Sequence, residues 1–360
     1  MKLTSLYKIK FFISSFITIF SLNAQAMVLE KTPIALNAPW GLTWIDSNQL
    51  LITQKSGEIF LVDTDSFIQI KIEHDIPSVQ YGQGGLLDIT SEGNKIWITC
   101  SIKKKGKYTT AIYQGELNGS NLINTKLIYE ALPYISSSKH FGSRIEILGD
   151  YLYASIGERG KGMIAQDTSN SIGSIIRLYK NGNIPKDNSN QDNNWLLELY
   201  QIGVRNPQGM SVDPLTNTIF ISNHGPKGGD FIGPVISGSN YGWKKVGWGG
   251  INYSGSKIGD GNAWEPGFLK PDFIWVPSIG VGGIKFYQGD AFPEWQNSLL
   301  IGSLKYKYLS ILHRDENKFI KEEIIFKDKI GRVRDIEINK RGEVFLIADE
   351  LDTNLYILKP

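Results

Sequence analysis

One unit recurs along this chain of 360 residues: an apolar strand, a polar turn of Asp, Asn, Gly or Ser, and a second apolar strand. It occurs at 41–53 and again at 86–99, where Leu86-Leu-Asp-Ile-Thr leads through Ser-Glu-Gly-Asn into Lys95-Ile-Trp-Ile-Thr. It returns at 144–155, 209–222, 283–303 and 334–349, which makes six copies spaced by roughly 45 to 75 residues. No helical pattern exceeds about three turns. A lone strand pair leaves apolar surface open, so one copy cannot fold by itself. Copies at this spacing have room for about four strands each, and a closed ring of such sheets buries the faces that each leaves exposed. The expected fold is all-β: a six-bladed β-propeller with long inserted loops on the active-site face. A solenoid or a double β-sandwich is the alternative. The uneven spacing argues against a regular array, and the largest inserts, about 156–208 and 223–282, are rich in Gly, Asn and Trp. Long loops of this kind tend to carry function.

The first 26 residues read as an export leader rather than as part of the fold. Lys2, Lys8 and Lys10 precede an apolar run from Phe11 to Leu22, and Ala24-Gln25-Ala26 is a small-residue cleavage site. The run is too short for a mature transmembrane helix. The expected mature protein is a single propeller domain over 27–360, periplasmic or secreted, with no membrane span after cleavage. Its net charge is 2 − 3 = −1, because the leader holds three Lys and no acid. No basic patch argues for nucleic acid, and Lys103-Lys104-Lys105 reads as a solvated loop. The lone Cys100 excludes an internal disulfide, and with four scattered His it leaves little for a structural zinc site.

Polar residues cluster just ahead of the repeat units, where loops should converge. Gln83-Gly-Gly85 precedes the second unit, His140-Phe-Gly-Ser-Arg144 the third, and Arg205-Asn206-Pro-Gln-Gly209 the fourth. Ser278-Ile-Gly-Val-Gly-Gly283 precedes the fifth and Gly331-Arg332-Val-Arg334 the sixth, while Lys305 follows the fifth. The spacing of Arg332 and Arg334 puts both guanidiniums on one face of an extended segment. Two such neighbours repel unless an anion lies between them, and their planar forks match carboxylates. Between two apolar runs, His224-Gly-Pro-Lys-Gly-Gly-Asp230 concentrates residues that free backbone carbonyls from a ladder. Presented carbonyl oxygens suit a hard cation such as calcium. The residues together read as a cation site, an anion cradle and one histidine base, His140. No Gly-x-Ser-x-Gly elbow accompanies His140, which argues against a serine hydrolase.

These motifs, in this order over about 35–355, resemble the soluble periplasmic aldose sugar dehydrogenases that use pyrroloquinoline quinone (PQQ), relatives of soluble glucose dehydrogenase. The resemblance runs through Gly82-Gln-Gly-Gly-Leu-Leu-Asp88, His140-Phe-Gly, Gly157-Glu158, Arg205-Asn-Pro-Gln-Gly-Met210, His224 to Asp230, Asn240-Tyr-Gly-Trp243, Trp248 to Gly255, Lys305 and Arg332-Val-Arg-Asp335. It implies a six-bladed propeller with PQQ at the top of the channel on a calcium ion, which Gly225 and Pro226 hold through their carbonyls. It implies that Lys305, Arg332 and Arg334 neutralise the cofactor's carboxylates, and that Gln83, Arg205, Asn206 and Ser278 contact it. His140 matches the family's catalytic base, and Arg205 would stabilise charge on the quinone oxygen. The substrate would be an aldose, oxidised at C1 to a lactone, with an external quinone, dye or cytochrome as electron acceptor. Two departures stand out. Phe231 occupies the place of a family Glu associated with a second, structural calcium, which puts that ion in doubt. Ser143 replaces a family Gly. A calcium-dependent propeller lactonase or esterase and a non-catalytic sugar-binding propeller are the competing readings.

Overall fold

The computed structural model describes residues 27–188 and 194–360, so the leader reading at 1–26 lies outside the described residues. The expected propeller is what forms: six sheets, each beginning with one of the recurring units and antiparallel throughout except where Gln201 and Ile202 of the third sheet pair in parallel with Ser239 and Asn240. The first blade is typical, with strands Pro39–Trp44, Gln49–Gln54, Ile59–Asp63 and Gln69–Ile72 in simple meander order. The inner strands of the other blades are Leu86–Glu92, Gly142–Leu148, Pro207–Asp213, Val281–Phe286 and Val333–Ile338. Each packs against the inner strands of its neighbours, and the sixth returns to the first.

The ring is closed by the two ends of the chain. Strand Val28–Leu36 adds to Thr353–Lys359 as the outer strand of the sixth blade, with Val28 opposite Lys359 and Leu36 opposite Thr353. Closure turns an open fan into a structure with no exposed inner edge. Buried aliphatic clusters fill the spaces between adjacent sheets, as where Leu86, Ile89, Ile96 and Ile98 of blade two meet Leu51, Ile59 and Leu61 of blade one.

Every inner strand pairs irregularly just after its first residue, with register shifts at Pro39/Leu42, Leu86/Ile89, Gly142/Ile145, Pro207/Gly209, Val281/Ile284 and Val333/Asp335. A bulge bends the strand and re-aims side chains, and it is common beside active sites. Below these bulges the channel is tied across its width by Arg144. Its guanidinium meets Asp88 at 2.9 Å and Asp335 at 2.8 Å, and donates to the carbonyls of Gln208 and Arg334. Burial pushes the Asp88 carboxyl up to about 7 against the pull of Arg144. Four blades therefore share one cation, and the channel above it is a separate cup.

Candidate active site at the mouth of the channel

Strands alternate in direction, so the loop leading into each blade and the turn between its second and third strands lie at one end. The residues singled out from sequence fall in these segments, apart from Arg334, which is the second residue of inner strand Val333–Ile338. A cavity of about 120 Å³ opens there, lined among others by Lys55, Gln83, Asn206, Arg332, Arg334 and Asp349. A second of about 220 Å³ adjoins it through His224, Leu304 and Arg332, and its wall includes Gly225, Pro226, Tyr253, Ser278 and Lys305. His140 and Arg205 flank these cavities rather than line them.

The first cavity is overloaded with positive charge. Arg334 donates to Asp349 at 2.6 Å and to Gln208 at 2.8 Å, while Arg332 reaches Asp349 at 3.4 Å and the Leu304 carbonyl at 3.0 Å. Lys55 completes a set of three cations around one carboxylate. Burial lowers the Lys55 pKa, and repulsion from Arg334 and Arg332 lowers it further against the attraction of Asp349. Although partial burial of Asp349 works against its ionisation, Arg334, Lys55 and Arg332 hold its carboxyl well below the usual range. The buried Nε of Arg334 has no hydrogen-bond partner. An unpaired buried donor and a surplus of cations are both relieved by a bound polyanion.

His140 sits at φ 53°, a left-handed conformation uncommon outside glycine and enriched at functional sites. The Gln83 side chain pins this turn by accepting the His140 N–H at 2.7 Å. Gly157 lies against the turn from the neighbouring strand, where an added Cβ would collide with the His140 carbonyl. The imidazole Nδ1 forms a short hydrogen bond with Glu158, which is only 2% exposed. Burial opposes ionisation of Glu158, but the bond to His140, the Gly162 N–H and the charge of Arg205 keep its carboxyl below the ordinary value. Burial is also the main reason the His140 pKa falls below its usual 6.5. The ring is therefore neutral at pH 7, with Nδ1–H directed at the carboxylate and Nε2 free of any hydrogen bond among the described residues. Three residues on, Ser143 is held at φ 85°, a region that glycine enters freely and other residues enter at about 1–2 kcal/mol.

The His224–Asp230 loop is held from below. Asp230 is fully buried and accepts the N–H groups of Gly225 at 2.8 Å, Gly280 at 2.6 Å and Val281 at 3.1 Å, joining the loop to the Ser278 segment. The Ser278 hydroxyl in turn accepts the Asp230 N–H at 3.3 Å. Burial lowers the His224 pKa to about 3, so its neutral ring donates Nε2–H to the Val281 carbonyl. Gly225 is required sterically, since a Cβ there would strike the Gly228 carbonyl. The carbonyls of Gly225 and Pro226 accept no hydrogen bond among the described residues, and both residues line the second cavity. These are the available oxygen ligands that a hard cation needs. Asn206 accepts the Gly142 N–H at 3.1 Å, and Lys305 donates to the Ser278 carbonyl at 3.1 Å.

Arg205 donates to the His224 carbonyl at 3.2 Å and stands 5.4 Å from the Trp243 ring centre. Behind it, Trp243 stacks on Trp248 at 5.5 Å, and Phe231 meets Trp248 at 4.7 Å and Tyr241 at 4.6 Å. Phe231 is fully buried, so its position contributes an aromatic ring to the support of Arg205 and no oxygen ligand. Phe231→Ala should lower unfolding free energy by about 3–5 kcal/mol, read from the midpoint of denaturant unfolding. A midpoint equal to the parent's would remove Phe231 from this support.

Sequence reasoning missed four contributors: Glu158 as the partner of His140, Asp349 and Lys55 in the cationic cavity, and Tyr253 in the wall of the second cavity. Glu158 was visible only as part of Gly157-Glu158. Tyr253 is 67% exposed and faces Arg205.

A cationic cup thus lies beside unbonded carbonyls at the mouth of a six-bladed propeller. The chain belongs to the glucose/sorbosone dehydrogenase family, whose sequence profile matches residues 36–357. It is 33% identical over 338 residues to the aldose sugar dehydrogenase YliI of Escherichia coli K12, covering 90% of this chain and 91% of that protein. It is 26% identical to quinoprotein glucose dehydrogenase B of Acinetobacter calcoaceticus, covering 75% of this chain and 74% of the other. Among solved structures, the apo-form of the soluble aldose sugar dehydrogenase from Escherichia coli superposes with a TM-score of 0.88 at 32% identity, over 93% of this chain and all of that one. A PQQ-bound aldose sugar dehydrogenase from Streptomyces coelicolor shares the fold at a TM-score of 0.75 and 20% identity, over 93% of this chain and 98% of that one. No helix among the described residues is long and apolar enough to cross a membrane.

Proposed function

We propose that this protein oxidises the anomeric carbon of aldose sugars to lactones, using PQQ held with calcium at the channel mouth. The observation that carries the reading is the cup where Lys55, Arg332 and Arg334 surround the single carboxylate of Asp349. PQQ is a tricarboxylate, and it answers the need of this cup for anionic oxygens. Lys305 adds a cation at the edge, while Gln83, Asn206 and Ser278 supply polar contacts. Gly225 and Pro226 would hold calcium through carbonyls that accept no hydrogen bond among the described residues. When bound, the calcium–PQQ pair supplies a polarised carbonyl that accepts hydride from the sugar.

The residues of this chain perform the rest. His140, neutral and fixed by Glu158 in the Nδ1–H tautomer, takes the proton of the anomeric hydroxyl at Nε2. Glu158 stabilises the imidazolium that results, and Arg205 places a positive charge beside the reacting oxygens. The lactone leaves, and an external acceptor (a quinone, a dye or a cytochrome) removes the electrons. The leader read in 1–26 supports work in the periplasm or outside the cell.

The direct test is dye reduction by purified apoprotein across a panel of aldoses, with and without added PQQ and calcium. Activity that needs both supports the reading; none under any condition leaves the lactonase and the sugar-binding propeller as rivals. Arg332→Ala should weaken PQQ by about 10- to 150-fold, the loss of a charged hydrogen bond worth about 1.5–3 kcal/mol. Its ion pair is long and half-exposed, so the melting temperature should hold. Superimposable PQQ titrations of variant and parent would contradict the cradle. Arg334→Ala is a poorer probe, because it also strands Asp349.

A further inference from the structure

We propose that the face bearing the site docks an acidic electron-carrier protein through an arc of lysines around the channel mouth. The inference rests on the dehydrogenase reading: oxidation of one anomeric CH–OH to a lactone releases two electrons and two protons. A ferric haem carrier takes one electron per encounter, so two encounters clear each turnover, and the protons pass to water.

The arc spans three blades. Lys103, Lys104 and Lys105 cap the second blade, Lys139 precedes His140, Lys161 follows Glu158, and Lys227 follows Pro226. All six are exposed. The lysine ion pairs among the described residues involve Lys71, Lys180, Lys285, Lys307 and Lys359, and none of these six. The turns that carry them, 102–107, 136–140, 157–162 and 224–229, contain one carboxylate, Glu158, and it is buried against His140. Across the mouth, Asp349 of the sixth blade is paired with Arg332 and Arg334 and Glu350 with Lys307, so these six exposed lysines, without an ion pair among the described residues, lie on the side of the second, third and fourth blades. Residues 27–360 have a net charge of 2 − 3 = −1, so the arc reflects where lysines are placed and not an overall excess.

Apolar groups are exposed among these charges: Tyr81, Leu132, Met163 and Val276. Tyr81 stacks on Tyr108 at 4.2 Å, and Lys103 lies 5.8 Å from the same Tyr108 ring. Lysines around scattered apolar contacts suit a small transient interface in which charge sets encounter rate and orientation. An acidic carrier is drawn to the arc and arrives over the mouth where the electrons are delivered.

The test uses an acidic c-type cytochrome as probe and a basic one as control. Binding to the apoprotein is measured by calorimetry at low and high salt, for the parent and for Lys103→Glu/Lys105→Glu/Lys161→Glu. The parent should bind the acidic cytochrome alone, about tenfold more weakly at 0.3 M salt than at 0.02 M, as screening requires. The triple variant should lose at least about tenfold in affinity and in cytochrome reduction. Its melting temperature and its reduction of a neutral short-chain quinone should match the parent. Equal binding of the acidic cytochrome by variant and parent, or no binding by the parent, overturns the proposal. So does lysine-dependent binding to phosphatidylglycerol vesicles with cytochrome binding unaffected, which would make the face a membrane surface. Failure of the PQQ reading is distinct: dye reduction would ignore added PQQ while cytochrome binding persisted.

Discussion

His140→Ala will slow the reductive half-reaction by about 10²–10⁴-fold while PQQ stays bound, because removal of a general base costs that much. The loss should fall on kcat more than on KM, since the imidazole acts on the proton in flight. Single-turnover reduction of the PQQ-loaded variant, followed by the cofactor's absorption, measures it. If His140 only braces its turn, the variant will melt earlier and the folded fraction will turn over within a few-fold of the parent. The pH profile gives a second reading. Burial, with Arg205, lowers the His140 pKa beneath 6.5 in spite of Glu158. The active form is unprotonated, so the acid limb of kcat/KM should lie below pH 6.5. Glu158→Gln keeps an acceptor for Nδ1–H but removes the charge that favours imidazolium. It should lower kcat by about tenfold, the difference between a charged and a neutral hydrogen bond, and move the acid limb further down. A limb above pH 7 in the parent would exclude His140 as the titrating base.

Chelation of calcium will abolish sugar oxidation by the PQQ-loaded protein, and calcium will restore it. The Gly225 and Pro226 carbonyls are hard oxygen donors with no competing hydrogen bonds among the described residues. Magnesium should restore little, because it demands a tighter octahedral shell. The melting temperature should respond weakly, since the buried ring of Phe231 offers no oxygen ligand for a second ion. Full activity in a calcium-free, PQQ-loaded sample would remove the metal from the reading.

Much of this architecture is legible in the chain itself. The six strand pairs are local patterns of alternation, and local patterns survive without knowledge of the fold. The residues ahead of each pair, from Gln83 to Arg334, could be grouped because repetition places equivalent positions at one end of a ring. Arg332 and Arg334 announced an anion by charge alone, and His224 to Asp230 announced free carbonyls by backbone chemistry.

Tertiary structure decided the partners. Val28–Leu36 lies outside the six recurring units, and only closure of the ring shows that it completes the sixth blade beside Thr353–Lys359. Glu158 is separated from His140 by a whole strand pair, and no spacing rule predicts that its carboxylate selects the imidazole tautomer. Asp349 and Lys55 come from opposite ends of the sequence, yet together with Arg332 and Arg334 they set the charge of the cup. Strand periodicity is fixed by side chains a few residues apart, whereas pKa values, charge surplus and unbonded carbonyls depend on neighbours brought together from distant blades.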